Sequence, residues 1–235
     1  MLISGRGVVL SSVKYGDSSV ICRVFTQQHG LTAFLIQGVY RKKARISYSY
    51  LQPFSLLDMV YYYKENRQLQ KVKEVKASPA LNNLQTNVVK TSIALFAVEV
   101  LGNVLGDNEH DEDMFQWLQL FVTELDAAES VHPLLPHQFL LQLTMRLGFL
   151  PANGQGEYFN INEGSFYASP ESEGRFMPLE ESRLLKQLLE GSAVLQVPAA
   201  SIRHRLLDQM MLYFEKHSSA FRPLKSLKVL HDVFS

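Results

Sequence analysis

Two hydrophobic periods divide this chain. Over the first 78 residues apolar side chains alternate with a period of two, the mark of strands buried on one face. Val8-Val9-Leu10 begins one strand, and Gly16-Asp17 supplies a turn. Val20, Cys22 and Val24 share one face of the next, and His29-Gly30 marks a second turn. Leu31, Ala33 and Leu35 alternate on a third strand, with Phe34 and Ile36 on its other face. The run from Phe54 to Tyr63, rich in aromatic and branched residues, predicts a fourth. Pro53 belongs at its start or edge, because proline cannot donate to a ladder. Glu65-Asn66-Arg67 turns the chain into a fifth strand from Leu69 to Val75. Five such strands predict a small closed barrel, and the five-stranded OB-fold is the commonest design of this kind that binds single strands.

From about residue 84 the period becomes helical. Val89, Ile93, Phe96 and Val100 form one buried face, and Phe115, Leu118, Val122 and Leu125 a second. Leu134 to Leu147 is apolar almost all round and predicts a central, enclosed helix, ended by Gly148 with Pro151 soon after. Residues 152–177 are rich in Gly, Asn, Ser and Glu. Within them Tyr158–Ile161 and Ser165–Tyr167 flank Asn162-Glu163-Gly164, the pattern of a hairpin. Leu184, Leu185, Leu188 and Leu189 mark a fourth helix stopped by Gly191. Ser201 is the expected cap of a fifth, with Ile202, Leu206, Met210 and Phe214 on its face. The predicted class is α+β: an OB-fold barrel over 1–80, then an all-helical domain over 81–235 with a small β-hairpin insertion at about 152–177.

Charge follows the same division. The net charge of the 235 residues is zero, yet residues 1–80 carry 12 Lys/Arg against 4 Asp/Glu, a net of +8. Residues 81–180 carry 3 against 14, a net of −11, and residues 181–235 carry 8 against 5, a net of +3. Much of the first excess lies between Gly38 and Tyr50, where Arg41, Lys42, Lys43 and Arg45 are interleaved with Tyr40, Tyr48 and Tyr50. Arg67, Lys71, Lys73 and Lys76 add cations on or beside the fifth strand, with Lys71 and Lys73 on one face by alternation. Cations that track phosphates and rings on which bases stack are what a single-stranded nucleic acid needs. The nucleic-acid-binding candidates are Lys14, Tyr40, Arg41, Lys42, Lys43, Arg45, Tyr48, Arg67, Lys71 and Lys73. Of Tyr61, Tyr62 and Tyr63, at least one must point into the core. An RNA-binding OB-fold is the alternative, since nothing here separates a reader of the 2′-hydroxyl from a DNA binder.

Catalytic patterns are absent. There is no P-loop, no Gly-x-Ser-x-Gly elbow, and Gly5-Arg6-Gly7 lacks the third glycine of a dinucleotide fingerprint. Cys22, the one cysteine, reads as a packed thiol and excludes a disulfide framework or a cysteine-cluster metal site. His132 and His137 flank a helix start without a third ligand. The acidic run Asp107, Glu109, Asp111, Glu112, Asp113 could hold a divalent metal for nuclease chemistry, but it reads better as carboxylates that cap and complement the second helix. The chain is thus expected to be non-enzymatic and without cofactor or metal. No signal-peptide core and no 18-residue apolar run occur, so a cytosolic protein without a membrane partner is expected.

Short segments carry a resemblance along nearly the whole chain: Tyr15-Gly16-Asp17-Ser18, Phe25-Thr26 with His29-Gly30, Gly38, Leu51-Gln52-Pro53-Phe54, Leu147-Gly148-Phe149-Leu150-Pro151, and Pro223-Leu224-Lys225-Ser226. In this order and spacing they resemble the RecO family of DNA repair proteins. The resemblance implies an N-terminal OB-fold, a helical C-terminal domain, and a recombination mediator that binds and anneals single-stranded DNA. It further implies partnership with RecR and with the acidic tail of single-strand binding protein, indirect action on RecA, and a nucleoid-associated cytoplasmic location. Many members carry four zinc-binding cysteines after the Leu-Gly-x-x-Pro segment. Residues 152–177 here contain none, so zinc is withdrawn and Phe159, Ile161 and Phe166 are expected to order the hairpin by packing.

Overall fold

The alternating segment closes on itself. Strands β1 (Leu2–Tyr15), β2 (Ser19–Thr26), β3 (Gly30–Ile36), β4 (Leu56–Tyr62) and β5 (Leu69–Ala77) form a barrel in the order β1-β2-β3-β5-β4, the OB-fold arrangement. The computed structural model describes residues 1–41, 44–170, 174–191, 196–219 and 221–235. They divide into two compact units, Met1–Glu129 and Ser130–Ser235.

β1 starts at Leu2, well before Val8, because one strand serves two neighbours. Residues 2–8 pair with β4 and residues 7–15 with β2, and a register shift between Val9 and Ser11 marks a bulge there. At the shared point a Cβ on Gly7 would lie 2.4 Å from Val24 Cγ1, so only glycine fits. Val20, Cys22, Val24, Phe34, Ile36, Leu57, Met59 and Tyr61 fill the barrel. Burial pushes the Cys22 thiol up to about 12, as befits a packing residue. On β3 the core face is that of Phe34 and Ile36, while Ala33 and Leu35 are partly exposed. The β3–β4 connection contains a 3-10 turn, Tyr48–Leu51, started by Ser47, whose side chain accepts from the Ser49 N–H. Pro53 sits in the turn after it, ahead of β4 rather than within it.

Helices α1 (Val88–Val104) and α2 (Glu112–Ala127) bury the predicted faces, except that Val89 is only partly buried, and both lie in the same unit as the barrel. Their rings explain this: Phe115 stacks with Phe25 at 6.5 Å, and Phe121 meets Phe54 edge-on at 6.0 Å. The charge break near residue 80 and the packing division after Glu129 are different boundaries.

The loop entering α1 is tied down by one residue. The Asp126 carboxylate accepts the N–H groups of Asn82, Asn83 and Leu84 at 3.2, 2.8 and 2.7 Å. These bonds hold its pKa below the usual carboxylate value against the opposing effect of burial. Its carbonyl accepts from Lys90 Nζ at 2.7 Å. Asp126→Ala is expected to destabilise this unit by about 1–2 kcal/mol, the worth of a lost cap. The single tryptophan, Trp117 of α2, reports that unfolding by fluorescence in a urea titration.

The second unit holds α3 (Leu135–Arg146), a hairpin of β6 (Tyr158–Asn160) and β7 (Ser165–Tyr167), and helices α4 (Leu179–Leu189), α5 (Ala200–His217) and α6 (Ser226–Val233). α3 ends as predicted. Gly148 has φ +79°, its N–H donates to the Met145 carbonyl, and the Phe149 N–H donates to that of Thr144, both ends of a Schellman motif. The helix is less enclosed than its composition suggests, since Gln138, Gln142 and Met145 are exposed. The hairpin is ordered by packing: Phe159, Ile161 and Phe166 are buried, and the Ser182 hydroxyl accepts from the Phe159 N–H at 3.1 Å. Ser201 is not the cap of α5. That helix begins at Ala200, a strong helix former, with Ala199 at its N-cap and no side-chain cap bond. α6 carried no sequence signal, since it has eight residues and buries only Leu230.

Candidate nucleic-acid interface

Register across three strands builds a charged groove. Arg6 on β1 pairs with Asp58 on β4, which pairs with Lys76 on β5; Ser4, Val60 and Glu74 form the next row. A register shift beside Val60 leaves Lys73 without a cross-strand partner, so Lys73 and Glu74 in succession both line the groove. Arg45 and Ile46 from the β3–β4 connection complete an open cleft of about 670 Å³. Four cations and two carboxylates therefore share its walls. Arg6 is held by a bond from its Nε to Gln27 Oε1 at 3.2 Å. Lys73 and Lys76 stand 3.7 and 3.6 Å from Glu74 and Asp58.

A second patch lies near the other end of β1. Lys14 Nζ sits 5.8 Å from the centre of the Tyr40 ring, and that ring is 5.4 Å from Tyr48. Both tyrosines are exposed. Desolvation and the neighbouring Tyr48 raise the Tyr40 hydroxyl pKa. The connection that carries Tyr40 and Tyr48 also carries Arg45, so one loop serves both patch and groove.

The predicted residues thus fall into groups. Lys14, Tyr40 and Tyr48 come together, as do Arg45 and Lys73. Arg41 is exposed in a turn whose N–H donates to the Gly38 carbonyl at 3.2 Å. Lys42 and Lys43 lie outside the described residues. Arg67 and Lys71 are exposed but do not line the groove. Tyr61 is the tyrosine that points inward, where it meets the His29 Nδ1 atom at 2.9 Å, and Tyr63 stacks on the His29 ring at 3.7 Å. Arg6 was not singled out by sequence: alternation shows that it points outward, but not that β4 and β5 bring Asp58 and Lys76 beside it.

The acidic run serves packing. Asp107 pairs with Arg23 at 2.7 Å, Asp111 caps α2 by accepting from the Met114 N–H, and Glu112 accepts from Gln27 and Gln116. Those two amides hold the Glu112 pKa down. The segment lies so close to β3 that a Cβ on Gly30, whose φ is +59°, would stand 1.9 Å from the Glu109 carbonyl oxygen. Among the described residues no group of three or more His, Cys, Asp and Glu side chains is placed to hold a metal ion.

A model of the N-terminal part of recombination protein O matches residues 1–79, and a model of its C-terminal part matches residues 85–228. The chain belongs to the RecO family. Proteins named DNA repair protein RecO from Christiangramia forsetii and Flavobacterium psychrophilum are each 29% identical to it over 244 residues, covering both chains in full. The one from Azobacteroides pseudotrichonymphae is 27% identical over 241 residues, again in full. The chain is therefore a RecO-family DNA repair protein. The two RecO models part between residues 79 and 85, at the charge break, whereas packing groups α1 and α2 with the barrel. Among the described residues no helix is long and apolar enough to cross a membrane.

Proposed function

We propose that this RecO-family chain is a non-enzymatic recombination mediator that binds single-stranded DNA on its barrel and anneals complementary strands. The observation that carries the reading is the loop that joins the Lys14–Tyr40–Tyr48 patch to the groove of Arg6, Arg45, Lys73 and Lys76. Cations screen the repulsion between two backbones, and exposed rings stack on base faces. Neither contact occupies the pairing edges, so a held strand can still meet its complement. We further infer that it acts in the cytoplasm at the nucleoid with RecR and single-strand binding protein to load RecA.

Capture of the acidic tail of single-strand binding protein needs cations at an apolar groove of the helical region. Of the cations there, Lys90 is excluded because it is buried and bonded to the Asp126 carbonyl. Arg183 pairs with Glu157, and Arg205 with Glu180 and Glu181, whereas Lys216 is exposed on α5.

The test is annealing of complementary oligonucleotides, naked and coated with single-strand binding protein, with and without ATP. Annealing of both kinds without ATP is expected. Failure on both, or a need for ATP hydrolysis by the protein alone, contradicts the mediator reading. Annealing of naked strands only leaves the barrel argument standing and removes recruitment.

A further inference from the structure

The groove contains its own competitors for phosphate. Asp58 lies on the middle strand of three, in register with Arg6 on one side and Lys76 on the other. Its carboxylate stands 3.6 Å from Lys76 Nζ. Glu74 stands 3.7 Å from Lys73 Nζ in the same cleft. Both separations exceed hydrogen-bonding range, and the four side chains are 37–73% exposed. Such pairs are loose and solvated, and an arriving anion can open them.

We propose that Asp58 and Glu74 are residues that set how long a DNA strand is held: they pair the groove's lysines in the free protein and repel the backbone once it is bound. This rests on the reading of the barrel as a single-strand binder. A surface built only to hold DNA would have cations along this row. Here an acid stands between two cations at the row's centre. A protein that delivers a strand to its complement must also let it go, and a carboxylate beside each lysine shortens the stay without removing the charge that attracts the strand.

The experiment compares the full chain with the double variant Asp58→Asn, Glu74→Gln, using a fluorescein-labelled oligothymidylate. Release is followed by stopped-flow chase with unlabelled oligomer over a series of salt concentrations. A carboxylate about 5 Å from a phosphate in a water-like dielectric changes binding about fourfold, so removing both is expected to tighten binding about sixteenfold, mostly through slower release. Two lysines freed for phosphate contact should also steepen the log–log salt dependence by about 1.4. Lys76→Met removes the same ion pair together with its cation, and is expected to weaken binding. Opposite directions for the two variants separate competition by the acids from a general loosening of the barrel. Equal release rates for the wild type and the double variant overturn the proposal while leaving the barrel as a binder. A wild-type protein that holds no oligomer overturns both.

Discussion

Alanine at Arg41, Lys42, Lys43 and Arg45 together is expected to remove most of the salt dependence of oligonucleotide binding. If the four cations neutralise about four phosphates of a single strand, log K falls with a slope near −3 against log salt. That is a loss of roughly fifty-fold between about 50 and 200 mM, which the quadruple variant should no longer show. The loop is expected to outweigh β5 for a reason in the geometry: Lys73 and Lys76 have carboxylates at 3.7 and 3.6 Å. Arg45 faces the same groove, and Arg41 is exposed beside it in sequence. Anisotropy of a labelled oligomer across a salt series measures the slope. Arg67→Ala with Lys71→Ala is the control, since both are exposed and lie off the groove. A quadruple variant with the wild-type slope would remove the loop from the interface.

What could be read from the sequence was what repeats. Val20, Cys22 and Val24 announce their strand because alternation is local, and Phe115, Leu118, Val122 and Leu125 announce their helix for the same reason. Gly148 predicts the end of α3 because the left-handed turn there suits glycine. Register is another matter. The row Arg6–Asp58–Lys76 joins positions more than fifty residues apart in β1 and β4, and no local pattern encodes it. The shift that leaves Lys73 unpaired is equally silent in sequence, and strict alternation groups Lys73 with Lys71 instead of with Arg45. The loop's cations and tyrosines were visible as composition. That Tyr40 and Tyr48 would meet each other and Lys14 was not, because a long connection fixes its path only through the barrel it packs on. The grouping of α1 and α2 with the barrel was hidden likewise, since contacts such as Phe25–Phe115 span distant segments.

The second unit is expected to lose about 3 kcal/mol of stability as pH falls from 7 to 4, through His137 alone. Its Nε2 lies 2.8 Å from the Arg203 carbonyl, so that nitrogen donates, and the buried Nδ1 has no hydrogen-bond partner among the described residues. Burial first, then the nearby Arg203, His204 and His231, lowers its pKa from 6.5 to about 4. In the unfolded chain the same ring titrates near 6.5. Below that pH the unfolded state takes up a proton that the native state refuses, so stability held above 6.5 is lost as pH falls towards 4. The loss amounts to about 2 kcal/mol by pH 5 and about 3 kcal/mol by pH 4. His204 adds to the same trend, because burial and His231, stacked on it at 4.4 Å, lower its pKa as well. Asp208 acts the other way: burial raises its pKa, so the native state gains a proton before the unfolded chain does and offsets part of the loss at the acid end. His137→Gln keeps an amide donor for the Arg203 carbonyl and removes the titrating ring. Urea midpoints followed by circular dichroism at pH 7, 6, 5 and 4 should converge, with the wild type losing its excess over the variant as the acid pH is approached. Parallel curves would mean that the ring is solvated, and that the contact between α3 and α5 does not hold it neutral.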